Sequence, residues 1–378
     1  MRIDVDVMLA SSCTQYGVEP FDFDDFDMEG LSILADEVCS SARDHTDLLP
    51  VLAWITKHVA QRVLQEKQFR ADPAMWDVPV AAPVFIIAPG RTGSTLLQWL
   101  LALEPSLRSP HLWELWHPMH GDDAASRRQG IERCEETLKS VSPAALRLHP
   151  MAAEAPDECH WLLRHNSIRA GLHRAPGYGD WLWTLDNPAL TKLLKSYRQQ
   201  VQILQAPDPS RHWLSKTFAH MHYWPVLFDV FPDARVIRIH RDPRQSTASC
   251  CSLMQHLARR LSPLMIADGN MNATVDGQRR MMAADQAAPS GQVIDVMFDD
   301  LRASPVTVAR RLGQWLKLPD PEAFANRVER YMASAKRIRA APHEPQLEDF
   351  GLTDHEVLDR FEAYIAWVRS RLDPSFCA

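Results

Sequence analysis

Short apolar runs closed by turn residues recur along the chain from residue 80 onward, and each is followed by an amphipathic stretch. The first is Val84-Phe85-Ile86-Ile87-Ala88, stopped by Pro89-Gly90 and followed by a helical pattern from Ser94 to about Leu103. A continuous apolar run between turn residues, leading into a helix, reads as a buried parallel strand. His212 to Lys216 is the second such strand. It comes after a helix capped at Asn187, with Pro188 in its first turn and Leu190, Leu193, Leu194, Tyr197, Val201 and Leu204 on one face. Arg235 to His240 is the third, with Asp242 as cap and Pro243 opening the next helix. Val293 to Met297 is the fourth, before a helix that starts after Ser304-Pro305. A last helix opens with Thr353 and Glu356 at capping-box spacing and runs through Leu358, Phe361, Tyr364, Ile365 and Val368.

Residues 1–79 carry no strand-like run. Their pattern is helical, as in Leu48, Leu49, Leu52, Ile55, Val59 and Val63, and Asp72-Pro73 with the Pro79–Pro83 stretch marks a connection. The pattern therefore predicts an α/β fold: a mostly parallel sheet with helices on both faces over 80–378, preceded by an N-terminal helical extension over 1–79. In that class ligands sit beyond the C-terminal strand ends.

Composition narrows the function. Forty-one basic against 48 acidic side chains give a net charge of −7 over 378 residues, which argues against a general nucleic-acid binder. Any anion must be held by a local site. No apolar run approaches the ~18 residues of a membrane helix, and Asp4 and Asp6 interrupt any leader-like stretch, so a cytoplasmic protein without a transmembrane segment is expected. The seven cysteines form no CxxC pair, as expected of a reduced, intracellular chain.

Between the first strand and its helix lies Pro89-Gly90-Arg91-Thr92-Gly93-Ser94-Thr95. Gly90 and Gly93 let the chain turn tightly and aim N–H groups at an anion, and the helix start adds donors and a positive dipole end. Thr92, Ser94 and Thr95 bring hydroxyls, and Arg91 brings a fork suited to phosphate or sulfate oxygens. The loop is P-loop-like but is no Walker A motif: Gly93 is followed by Ser94-Thr95 with no lysine, so a magnesium-bearing arrangement is not expected. A second anchor, Arg241-Asp242-Pro243-Arg244, follows the third strand, with Ser249 eight residues after Arg241.

With both anchors in place, the chain resembles sulfotransferases that use 3′-phosphoadenosine-5′-phosphosulfate (PAPS), most of all the bacterial branch with an Arg-Thr-Gly-[Ser/Thr]-Thr-Leu-Leu loop. The resemblance extends to Leu112-Trp113-Glu114-Leu115, to Ser215-Lys216-Thr217 through His220, to Asp299-Asp300-Leu301 with Pro305, and to Leu347-Glu348-Asp349-Phe350-Gly351-Leu352. It implies a three-layer P-loop-like sandwich in which the loop from Gly90 to Thr95 cradles the 5′-phosphosulfate, while Arg241 and Ser249 hold the 3′-phosphate. It also implies release of PAP and Arg91 and Lys216 as the cations at the leaving oxygen. Leu96 stands where the well-studied cytosolic sulfotransferases carry an adenine-stacking tryptophan, and their C-terminal Arg-Lys-Gly segment is missing.

The acceptor must lose a proton, and the resemblance offers Glu114, the preferred base, and His220 as the alternative. His111, Glu114, His117 and His120 fall at period three, but Pro110 and Pro118 interrupt any long helix there and HExxH geometry is absent, so no metal is expected. Five of the twelve tryptophans fall in 104–185, an expected acceptor-side insertion, where they serve either as an acceptor wall or as core. The expected activity is sulfuryl transfer to a hydroxyl or amine of a small-molecule, lipid or sugar acceptor, with homo-oligomer formation left open. The alternatives are a non-catalytic PAP-binding protein and, less favoured, a nucleotide kinase.

Overall fold

The computed structural model describes residues 3–19, 21, 25–41, 45–118, 123–165, 175–257, 263–335 and 345–377. At its centre are the strands β1 (Val84–Ile87), β2 (Leu107–Arg108), β3 (His212–Lys216), β4 (Arg235–His240) and β5 (Val293–Met297), in the order β2-β3-β1-β4-β5. All four pairings are parallel. Four strands lie where the apolar runs place them. β2 spans two residues and is too short to leave a pattern of its own.

Alternation along β1 builds the two cores. Phe85 and Ile87 enter the core beneath one face, with Leu190, Tyr197 and Val201 of the helix Asn187–Gln205 and with Leu31, Leu34, Ile55 and Val59 of the N-terminal helices. The helices over 1–79 thus share a core with the sheet. Val84 and Ile86 enter the opposite core, against Leu97, Leu100 and Leu101 of the helix Ser94–Leu101 and Leu312 and Phe324 of later helices. Each fully buried side chain of this size contributes about 1.5–3 kcal/mol relative to exposure.

Two element ends differ from the sequence pattern. Asp186, not Asn187, caps its helix, its Oδ1 accepting from the Ala189 N–H at 2.9 Å. The last predicted helix is two, Asp354–Arg360 and Glu362–Arg371, broken at Phe361; its expected start holds, with Glu356 Oε2 accepting from the Thr353 N–H at 2.8 Å.

The sheet order positions the site. β1 lies between β3 and β4, with Ile86 level with Lys216 and Ile87 level with Arg238. The chain leaving β1 therefore emerges between the C-terminal ends of β3 and β4, where Lys216 and Arg241 stand.

Candidate active site

The loop after β1 is shaped by two residues in the left-handed region, Arg91 (φ 65°) and Gly93 (φ 85°). Gly93 is required there twice over. A Cβ would also sit 2.8 Å from Phe298 Cδ2. Thr92 is buried and turns inward, its hydroxyl donating to the Pro89 carbonyl at 2.9 Å, which fixes the loop from beneath. Ser94 and Thr95 open the helix, whose first N–H groups have no partner within the helix. Gly90 packs closely on Cys250, whose Sγ would lie 3.3 Å from a Cβ at that position.

Arg241 and Ser249 both meet this loop. Arg91 Nε donates to Ser249 Oγ at 3.0 Å, and Arg241 Nη1 donates to the Arg91 carbonyl at 2.6 Å. The Arg241 guanidinium also lies over the Phe298 ring, 4.2 Å from its centroid. Among the described residues neither guanidinium has a carboxylate within ion-pair distance. Burial pushes both arginines below their ordinary pKa, and the charge of Arg91 pushes Arg241 down further. Two partly buried, mutually repelling cations beside free N–H donors make a site that gains from a phosphate-like anion.

Lys216 is 1% exposed, a placement that requires partners for its charge. Its ammonium donates to Thr95 Oγ1 at 3.1 Å and to Glu158 Oε1 at 2.7 Å. Burial would raise the Glu158 carboxyl, but Lys216, and then His160 and His149, outweigh it and hold it well below the usual carboxylate range. Glu158 is the residue sequence reasoning missed. It sits in Asp157-Glu158-Cys159, far in sequence from any motif, and the only trace was an acidic pair ahead of the apolar stretch from Cys159 to Leu163. The structure brings it in because Pro156 to Glu158 runs alongside the loop helix, with Trp99 Nε1 donating to the Pro156 carbonyl and Gln98 Nε2 to the Asp157 carbonyl.

Neither base suggested by the sequence joins this cluster. Glu114 accepts from Arg108 Nη2 at 2.7 Å and from the His111 N–H at 2.8 Å, which occupies both oxygens in an ion pair and a helix cap. It faces a cavity of ≈ 580 Å³ lined also by Trp99, Arg211 and Tyr331, with none of the loop residues, Lys216, Arg241 or Ser249 on its wall. His220 lies across the sheet. Lys216 shares the face of Leu214, toward the loop helix, whereas Ser215 points to the other face, where its Oγ lies 2.8 Å from His220 Nε2. Phe85 and Tyr197 pack edge-on against the imidazole, and burial lowers its pKa to about 3. Glu114 and His220 are thus each hydrogen-bonded to neighbours outside the cluster of Lys216 and the loop. His111 caps the helix Leu112–Trp116, and His120 of the same quartet lies outside the described residues. Trp113, Trp116 and Trp181 are buried in cores, so most of the tryptophan excess of 104–185 is packing.

Residues 83–322 match the model of the sulfotransferase family. The chain belongs to that family. It is a sulfotransferase enzyme, and its chemistry is the transfer of a sulfuryl group. The omega-hydroxy-beta-dihydromenaquinone-9 sulfotransferases Stf3 of Mycobacterium bovis and Mycobacterium tuberculosis are each 26% identical to it over 298 residues, 74% of both chains. Among solved structures, sulfotransferase STF1 of Mycobacterium tuberculosis superimposes with a TM-score of 0.80 at 26% identity, covering 96% of this chain and 99% of that one. STF9 of Mycobacterium avium, at 22% identity and a TM-score of 0.83 over 96% of each chain, shares the fold. Among the described residues no helix is long and apolar enough to cross a membrane.

Proposed function

We propose that the enzyme transfers the sulfuryl group of PAPS to a hydroxyl of a small-molecule acceptor, releasing PAP. The observation that carries this reading is the pairing of two sites at neighbouring strand ends. One is a cradle made by loop 90–95, Arg241 and Ser249, and the other is the buried Lys216–Glu158 pair. The cradle residues fit a nucleotide with phosphates at both ends: Arg91, Ser94, Thr95 and the loop N–H groups for the 5′-phosphosulfate, Arg241 and Ser249 for the 3′-phosphate. The donor supplies a sulfur–oxygen bond that breaks with its electron pair on phosphate as the acceptor oxygen bonds to sulfur.

Lys216 and Arg91 then neutralise the charge that grows on the departing oxygen, the interaction that lowers such barriers most. Glu158 takes the acceptor's proton. Its low pKa is a property of its contact with Lys216, so the carboxylate becomes a stronger base as the ammonium turns toward the leaving phosphate. The segment 104–185, which carries Glu158, forms the acceptor side. The Stf3 relatives are named for a hydroxylated menaquinone, which supports an alcohol as the accepting group.

Titration with PAP in the presence of a chelator tests the donor half of this proposal. Tight, magnesium-independent binding is expected. Binding that requires magnesium, or none at all, would point instead to a nucleotide kinase or to a different donor.

A further inference from the structure

β4 carries two polar side chains where a central strand ordinarily carries aliphatic ones: Arg238 is 5% exposed and His240 1%. Both point to the sheet face opposite the loop helix, whereas Ile237 and Ile239 face it. Arg238 makes a two-pronged ion pair with Asp295 of β5, at 2.7 and 2.9 Å, and a further pair with Asp285. Its guanidinium also lies over the rings of Trp224 and Trp367, 5.5 and 4.8 Å from their centroids. His240 Nε2 donates to Asp295 Oδ1 at 2.8 Å, and its Nδ1 lies 2.8 Å from the Tyr364 hydroxyl. Arg371 closes the chain on Asp285. Tyr364, Trp367 and Arg371 all belong to the helix Glu362–Arg371.

A buried ionic network of this kind is seldom cheaper than apolar residues of the same volume. What it supplies is a single geometry, because each oxygen and N–H has one place to go. The residue whose geometry is at stake is the next one along the chain. Arg241 follows His240 directly, and its guanidinium must reach both the Arg91 carbonyl and the face of Phe298.

We propose that the network Tyr364–His240–Asp295–Arg238 is a positioning device for Arg241, through which the C-terminal helix sets the affinity for the donor's 3′-phosphate. This rests on the donor reading above. Tyr364 and Asp295 are positioning residues: they act on the ligand only through the strand end.

The test compares two nucleotides on three proteins. PAP carries the 3′-phosphate and 5′-AMP does not. Both are titrated into wild type, Tyr364→Phe and Asp295→Asn by calorimetry or competition. In the variants PAP binding should weaken by about 5–30-fold, the effect of one or two lost buried hydrogen bonds, while 5′-AMP binding stays within about twofold of wild type. The donor KM should rise with kcat little changed. Equal weakening of both nucleotides would show a general loss of structure and overturn the proposal, as would unchanged PAP affinity in the folded variants. Wild type that fails to bind PAP would remove the donor reading itself, and this inference with it. Tyr364→Phe deletes a single hydroxyl and guards against loss of folding in Asp295→Asn.

Discussion

Replacing Glu158 by Gln separates the charge of this side chain from its shape. The amide keeps an oxygen for the Lys216 ammonium, which donates to Oε1 at 2.7 Å in the wild type, but it can neither take a proton nor neutralise the lysine. Two losses follow, of different kinds. Removing one partner of a buried ion pair costs about 3–5 kcal/mol. The Glu158 side chain is 22% exposed, so water relieves part of that cost and about 2–3 kcal/mol of stability is expected to go. Turnover should fall by about 10²–10⁴-fold, the contribution of a positioned general base, and the acidic limb of the pH–rate profile should vanish. The assay is transfer of label from ³⁵S-labelled PAPS to an acceptor alcohol across pH, beside chemical denaturation and PAP titration on the same preparations. PAP affinity should hold within a fewfold. Near-normal turnover in Glu158→Gln would refute the assignment, and a large loss in Glu114→Gln with PAP binding intact would return the role to Glu114.

Four further outcomes follow from the same geometry. Arg241→Ala should weaken PAP by about 10–150-fold through loss of charged hydrogen bonds, measured by calorimetry. Gly93→Ala forces φ 85° on a residue with a side chain and drives its Cβ into Phe298, so loss of PAP binding and about 1–3 kcal/mol of stability should be seen together. His220→Asn should lower the melting temperature and leave the shape of the pH–rate profile unchanged, since the imidazole lies across the sheet from Lys216. In acid, Asp295 should show its network. His240 and Arg238 overcome the effect of burial and hold its carboxyl at about 2, so its stabilisation is complete above the ordinary carboxylate range and is lost as pH falls from about 4 toward 2. Asp295→Asn should remove about 2–3 kcal/mol of that pH dependence in denaturation curves.

The legibility of this chain follows the reach of its patterns. β1 declares itself as an unbroken apolar run, while β3, β4 and β5 are legible through shorter apolar stretches that lead into turn residues and a following helix. β2 does not, because two residues carry no period. The anion loop is legible because its demands are local: Gly93 must turn where no other residue turns easily, and the hydroxyls must follow at once. Arg241 and Ser249 are legible through spacing. Glu158 is not, since its role comes from a tertiary event, the passage of Pro156 to Glu158 along the loop helix. Lys216 and His220 sit four residues apart and look like one motif, yet strand alternation sends Lys216 and Ser215, the partner of His220, to opposite faces of the sheet. Glu114 has a local partner that its motif does not announce: Arg108, six residues earlier, donates to its Oε1.

Single-turnover transfer from ³⁵S-labelled PAPS, run in chelator with wild type, Lys216→Ala and Arg91→Ala, bears on the central claim most directly. A series of primary alcohols of graded apolar bulk serves as acceptors. The cradle and the Lys216–Glu158 pair together predict label appearing in a sulfate ester at the rate PAP is formed, without metal, and a loss of about 10²–10³-fold in the transfer step in either variant. Wild type that binds PAP and yet transfers no label to any hydroxyl, or Lys216→Ala that transfers it at the wild-type rate, would contradict it.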